Sequence, residues 1–243
     1  MELRGQTAIV TGAAVRLGRA IALALADAGA NICVHYHRSA DDARQTCEEI
    51  EARGVSAVAV PADLREPAIA AKTIIDAASE RFGQADVLVN SAAIFEREIW
   101  TEATTEQWER CFAINLQAPF WLCREFAAQL APGHSAHIVN IADRRATRPG
   151  TDHPMYTLTK SGLVTLTGIL ARELSPHVQV NAIAPGAILP PPGEDDTYLE
   201  NAVHRVPMKK PGSPRDVAEA VLFLLRSEFI TGETIHVAGG EQL

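Results

Sequence analysis

The chain has 243 residues, 47% hydrophobic and 21% charged, which suits one α/β domain over 1–243 better than two small ones. A net charge of -8, from 22 basic and 30 acidic residues, supplies no clustered cationic surface for a phosphate backbone and argues against a nucleic-acid partner. The apolar run Ala8-Ile9-Val10 is too short for a signal peptide, nothing reaches membrane-spanning length, and Cys33, Cys47, Cys111 and Cys123 lack zinc or disulfide spacing; the expectation is a soluble cytoplasmic protein with reduced thiols.

Short apolar runs alternate with longer amphipathic ones from end to end. Strands are expected over 7–10, 32–34, 57–60, 87–89, 137–141, 178–182 and 234–237. Helices are expected over 19–28, 40–53, 68–82, 106–130, 155–174 and 216–225. Seven strands joined by right-handed helical crossovers make a doubly wound parallel sheet of the Rossmann kind. Segment 186–213, between Pro185 and Pro214, breaks the rhythm with Pro190-Pro191-Pro192 and the acidic Glu194-Asp195-Asp196. It follows a strand's carboxyl end, where such sheets bind ligands, so it is read as a substrate lid in which Leu189, Tyr198 and Leu199 set selectivity; the alternative is a surface loop without a role. His134 and His137 flank a strand but lack a third ligand, so no metal is expected.

The first strand runs into Thr11-Gly12-Ala13-Ala14-Val15-Arg16-Leu17-Gly18 and then a helix. Gly12 permits a tight turn, Gly18 permits close helix packing, and the helix N-terminus offers N–H groups and a positive dipole to a pyrophosphate. Arg16 is a cation where the dipole disfavours one by up to about 1 kcal/mol, so either an anion compensates it or it is a solvated surface arginine. At the end of the second strand, His35-Tyr36-His37-Arg38-Ser39 contains no carboxylate to bind the ribose hydroxyls of NAD. Arg38 and Ser39 suit a 2′-phosphate instead, so NADP(H) is preferred, with His37 beside them in the cofactor site. Ser39 followed by Asp41 and Asp42 also has the pattern of a helix N-cap and first turn.

Tyr156 and Lys160 lie four residues apart, on one helix face. A cation there favours phenolate, which makes Tyr156 a candidate acid/base. Asp143, thirteen residues before Tyr156, accepts hydrogen bonds, and its charge opposes loss of the phenol proton.

The Thr-Gly turn, Asn90-Ser91-Ala92-Ala93, Asn115, Tyr156-x-x-x-Lys160 and Asn181-x-x-x-Pro185-Gly186 together resemble the short-chain dehydrogenases/reductases along essentially the whole chain. The resemblance implies that Tyr156 is the proton donor, that Lys160 binds ribose and lowers the tyrosine pKa, and that Asn115 holds a relay water. It also implies that Asp63 and Leu64 flank the adenine, Asn90 and Ala92 the ribose, and the backbone after Pro185 and Gly186, through Ile188, the carboxamide. A homotetramer built on the helices over 106–130 and 155–174 is implied too.

Three departures narrow the resemblance: Asp143 replaces the usual serine, Arg16 replaces the middle glycine, and Phe95 follows the Asn90 strand end. With T-G-A-A-x-R-L-G and H-Y-H-R-S, these are similar to the pteridine reductase branch, which includes bacterial dihydromonapterin and dihydrofolate reductases. Ala93 stands where that branch often has serine. The implied activity is NADPH-dependent reduction of a ring C=N bond in a pterin or folate. Phe95 would stack on the ring, Arg16 would bridge it to the cofactor phosphates, and Asp143 and Tyr156 would bind it; core packing is the alternative for Phe95. A carbonyl reductase of the same family would place Asp143 beside a developing oxyanion. A non-catalytic NADP sensor would be marked by loss of the Tyr or Lys, and both are present.

Overall fold

The computed structural model describes residues 1–97, 99–191, 193–195 and 197–243. Seven strands, β1 Thr7–Val10, β2 Asn31–Tyr36, β3 Ala57–Pro61, β4 Val87–Asn90, β5 Ala136–Ile141, β6 Val178–Pro185 and β7 Thr234–Val237, form one parallel sheet in the order β3-β2-β1-β4-β5-β6-β7. Successive residues of a strand enter opposite faces. In β1, Ala8 and Val10 join one core while Ile9 joins the other, and in β4 Val87 and Val89 part from Leu88 in the same way. Both faces are buried, which is why these strands read as continuous apolar runs.

The helices are α1 Arg16–Asp27, α2 Ala40–Glu51, α3 Pro67–Phe82, α4 Thr105–Phe112, α5 Ala118–Ala128, α6 Pro154–Glu173, α7 Thr197–Val203 and α8 Pro214–Arg226. Helices α1 and α8 cover the first face through Ile21, Leu25, Val217, Val221 and Leu224; α3 and α5 cover the other through Ile74, Leu122 and Phe126. No described helix is long and apolar enough to cross a membrane.

The single helix expected over 106–130 is interrupted. After α4, which starts at a Thr104–Gln107 capping box, Ala113–Gln117 forms a π turn before α5 begins. Pro119 accounts for the break, because it has no N–H to give the carbonyl of Asn115 four residues earlier. The lid contains α7, which its proline and glycine content concealed. Pro192 and Asp196 of the expected proline and acidic runs lie outside the described residues.

Strand order reverses at β1, with β2 on one side and β4 on the other. The chain leaves β1 and β4 in diverging directions, opening a crevice beyond the carboxyl ends. Thr11 and Gly12 follow β1, Ser91 to Ala93 follow β4, Asp143 stands two residues past β5, and Gly186 follows β6. The sequence motifs thus meet at one edge.

Candidate active site

Two adjoining cavities occupy this edge. The larger, about 460 Å³, is lined by Arg16, Leu17, Phe95, Asp143, Tyr156, Lys160, Pro185, Gly186 and Ile188, with Leu189, Pro191, Tyr198 and Arg205 of the lid. The smaller, about 310 Å³, is lined by Gly12, His37, Arg38, Asp63, Leu64 and Ala92. Most of the residues singled out in the sequence therefore converge. Gly18, Ser39, Asn90 and Asn115 do not line either cavity, and of the three lid positions Leu199 also stays outside.

The glycine turn is closed by necessity. A Cβ on Gly18 would lie 2.3 Å from the Gly12 carbonyl oxygen, and Gly12 has φ 66° with Ala92 directly above it. Arg16 occupies the left-handed region at φ 55°, a conformation that costs a non-glycine residue about 1 kcal/mol; the backbone keeps the shape glycine would give although arginine fills the position. The guanidinium donates to the Pro190 carbonyl at 2.5 Å, tying the turn to the lid.

Helix α1 has no side-chain cap at Val15 and no acid in its first turn, whereas α4 and α8 carry complete capping boxes. Its first N–H groups suit an external anion. Arg38 forms no ion pair among the described residues. Ser39 is the N-cap residue of α2 as expected, but its side chain makes no cap bond. Asp63 is bound by Arg65 at 2.6–3.0 Å, and that hydrogen bonding pulls its carboxyl down to about 2; His37 lies 3.5 Å away. An anion with a second phosphate near Arg38 fits this end of the crevice.

Two residues that sequence reasoning did not single out hold the crevice open. Thr11 Oγ1 accepts from the N–H groups of Ser91 and Ala92 at 2.9 and 3.0 Å, joining the ends of β1 and β4. His35 Nδ1 accepts from Gly12 N–H at 3.1 Å, and Nε2 lies 3.2 Å from the Ala62 carbonyl. These two contacts fix the tautomer, with the proton on Nε2. In the sequence Thr11 and His35 stand in the Thr-Gly turn and in H-Y-H-R-S, but nothing there marks what their side chains do.

At the other end of the crevice Tyr156 is 7% exposed, and its hydroxyl donates to Asp143 Oδ2 at 3.1 Å. Asp143 Oδ1 accepts from Arg145 N–H at 2.8 Å. Burial raises the Asp143 carboxyl, opposed by the Arg145 N–H and by Lys160. Burial, followed by the Asp143 charge, raises the Tyr156 phenol well above its ordinary value. The cation that opposes this rise is Arg145 and not the expected Lys160, whose Nζ donates to the Ile141 carbonyl at 2.7 Å and lies 5.6 Å from the phenol ring centroid. Burial pushes Lys160 down to about 8. Tyr156 therefore holds its proton and is placed to donate it.

Phe95 lines the larger cavity, and the Arg145 guanidinium lies 5.8 Å from its ring centroid. His153 stacks on it at 3.9 Å between centroids and 19° between planes, and Tyr156 meets it edge-on at 4.7 Å. His153 has φ 54°, immediately precedes α6, and its Nδ1 contacts the Glu96 carbonyl at 2.7 Å. Arg145 forms a two-point pair with Asp152 at 2.7 and 2.8 Å, which holds the Asp152 carboxyl near 2.

The Asn115 side chain clamps the residue before Phe95, accepting from Ile94 N–H at 2.9 Å and donating to the Ile94 carbonyl at 3.0 Å. Asn90 turns into the sheet and donates to Asn140 Oδ1 at 2.8 Å. His134 is engaged by Asp86 at 2.8 Å. No cluster of three or more potential metal ligands occurs among the described residues.

Comparison with known proteins agrees with this architecture. The family model described as enoyl-(acyl carrier protein) reductase matches residues 12–242. The 3-oxoacyl-[acyl-carrier-protein] reductase FabG of Staphylococcus epidermidis is 34% identical over 240 residues, covering 97% of this chain and 98% of its own. Among solved structures, FolM alternative dihydrofolate reductase 1 from Brucella canis in complex with NADP superposes with a TM-score of 0.94 at 30% identity, covering 99% of this chain and 95% of its own. A blue fluorescent protein from a metagenomic library, in complex with NADPH, gives a TM-score of 0.92 at 32% identity and 99% coverage of both chains. The chain belongs to the short-chain dehydrogenase/reductase family. It is an oxidoreductase built on a single doubly wound Rossmann domain.

Proposed function

We propose that this chain uses NADPH to reduce a ring C=N bond of a pterin or folate. NADP(H) is the cofactor: Arg38 with His37 takes the 2′-phosphate, Arg16 and the α1 N-terminus take the pyrophosphate, Lys160 takes ribose, and the main chain after Gly186 takes the carboxamide. When bound, NADPH supplies the hydride. The solved relatives that hold NADP or NADPH support this assignment.

The observation that carries the substrate reading is the Asp143 carboxylate, which faces the cavity beside Tyr156 and accepts through both oxygens. A pterin presents amino and ring N–H donors to such a group, whereas a ketone presents only an acceptor. Asp143 binds those donors and orients Tyr156. Tyr156 gives its proton to N8 when C7 is reduced; for reduction at C6 and N5 the proton arrives through a water near Arg16. The Asn115 carbonyl, deprived of a bond from Pro119, holds the water that replenishes the tyrosine. Phe95, which lines the cavity, receives the flat ring, and Leu189 and Tyr198 close over it. The likeness to FolM supports the same substrate class. Exposed Trp108, Phe120, Leu158 and Ile169 on α4, α5 and α6 favour a homotetramer assembled on those helices.

The identity with FabG favours a second reading, reduction of a 3-oxoacyl carbonyl. An ionised Asp143 then opposes the charge that develops on the carbonyl oxygen, which a serine would stabilise. The test is NADPH oxidation by purified protein with dihydrobiopterin, dihydromonapterin and dihydrofolate beside 3-oxoacyl thioesters, ketones, aldehydes and quinones. Turnover confined to the pterins and folates supports the proposal. Turnover confined to the carbonyls overturns it, and tight NADPH binding without turnover indicates a sensor.

A further inference from the structure

Glu241, two residues before Leu243, is 8% exposed at its side chain and lines the larger cavity. Its carboxylate reaches in two directions. Oε1 forms an ion pair with Arg144, 2.6 Å from its Nε, and Oε2 accepts from Ala187 N–H at 3.2 Å. Arg144 directly follows Asp143 and opens the short helical turn Arg144–Ala146, while Ala187 directly follows Gly186 in the loop beyond β6. One buried carboxylate therefore joins the turn that carries the substrate-facing aspartate to the loop assigned to the cofactor carboxamide.

The geometry leaves no slack at the junction. A Cβ on Gly186 would lie 2.6 Å from Glu241 Oε2 and 2.9 Å from Ala238, so the loop backbone lies directly against the C-terminal segment. Gly186 N–H also donates to the Val237 carbonyl at 3.0 Å, extending the β6–β7 ladder to the point where Glu241 takes over. The Arg144 side chain is 19% exposed, and the two charges compensate each other in a setting where either alone is costly.

We infer that Glu241 is a positioning residue that fixes the Pro185–Ile188 loop against the Asp143 turn, and so sets the spacing between the cofactor and substrate halves of the cavity. The inference rests on the dinucleotide reading of the cavity and is independent of which substrate is reduced. Glu241→Gln retains an oxygen that can accept from Ala187 but loses the charge facing Arg144. Glu241→Ala loses both contacts.

The test is the NADPH dissociation constant, read by cofactor fluorescence, with the cofactor-free melting temperature measured in parallel. The wild type, Glu241→Ala, Glu241→Gln, Arg144→Gln and the Glu241→Ala/Arg144→Gln double variant are compared. Glu241→Ala is expected to weaken NADPH about tenfold or more, as for loss of a charge-assisted hydrogen bond, and Glu241→Gln by less than about threefold on the same scale. The double variant is expected to bind no more weakly than Glu241→Ala alone. An affinity for Glu241→Ala within twofold of wild type, or equal weakening by Ala and Gln, overturns the inference, as does a loss confined to melting temperature. If Glu241→Ala does not fold, Arg144→Gln decides: it must weaken NADPH although it leaves the Ala187 contact in place, and an affinity equal to wild type overturns the inference. A wild type that does not bind NADPH would refute the cofactor reading itself, a distinct outcome.

Discussion

The Tyr156 hydroxyl donates to Asp143 Oδ2 across 3.1 Å, so the phenol proton lies in a bond to a carboxylate that itself resists further charge. Burial and the adjacent charge both keep the phenol protonated. Tyr156→Phe removes the donor while leaving the ring against Phe95, and it is expected to lower kcat for the pterin by about 100-fold or more, the usual contribution of a positioned general acid. The NADPH dissociation constant should stay within about twofold. Stopped-flow hydride transfer and fluorescence titration measure the two separately; unchanged turnover would remove Tyr156 from the mechanism.

Stability is expected to decline on acidification. Burial lowers both His35 and His137 from 6.5 to about 4. Between pH 6.5 and 4 the unfolded chain binds protons that the folded chain refuses, so stability is fully present above 6.5 and is lost as pH falls through that window. The loss is on the order of 3 kcal/mol per histidine by pH 4. Urea midpoints at pH 7.5, 6 and 5 test this, and a midpoint that is flat or rises toward pH 5 contradicts it. Protonation of His35 also removes the acceptor that holds Gly12 N–H.

Arg16 is held at φ 55°. Arg16→Gly relieves that conformation and is expected to raise stability by up to about 1 kcal/mol. It should also weaken NADPH, through loss of the cation near the pyrophosphate. Chemical denaturation and cofactor titration read the opposing effects; weaker folding with unchanged binding would show that Arg16 serves structure alone.

Arg38→Ala should weaken NADPH by about ten- to a hundredfold, the range for a hydrogen bond to a charged group, and leave NADH within about twofold. Equal losses for both cofactors would remove Arg38 from 2′-phosphate recognition.

The sequence marked all seven strands, because their two-sided burial writes long apolar runs, and it placed the motifs at the strand ends where they converge. The long helix was over-extended because periodicity continues through Ala113–Gln117, while the consequence of Pro119 for Asn115 acts on a carbonyl rather than on a side-chain pattern. Helix α7 was missed because its seven residues sit among turn-forming neighbours. The roles of Thr11, His35, His153 and Glu241 were not legible, since each acts through a partner distant in the chain: Ser91 and Ala92, Gly12 and Ala62, Phe95, and Arg144 with Ala187. The four-residue spacing of Tyr156 and Lys160 likewise concealed that burial and Asp143 dominate the phenol.

The most direct test of the central claim exchanges Asp143 for serine and compares kcat/KM for dihydrobiopterin and for a 3-oxoacyl thioester in both proteins. The account predicts that Asp143→Ser loses about ten- to a hundredfold on the pterin, as expected for loss of a charged acceptor, and gains on the carbonyl as a donor replaces it. A variant that keeps full pterin turnover, or a wild type that already prefers the thioester, would contradict the assignment of Asp143 as the group that selects the substrate.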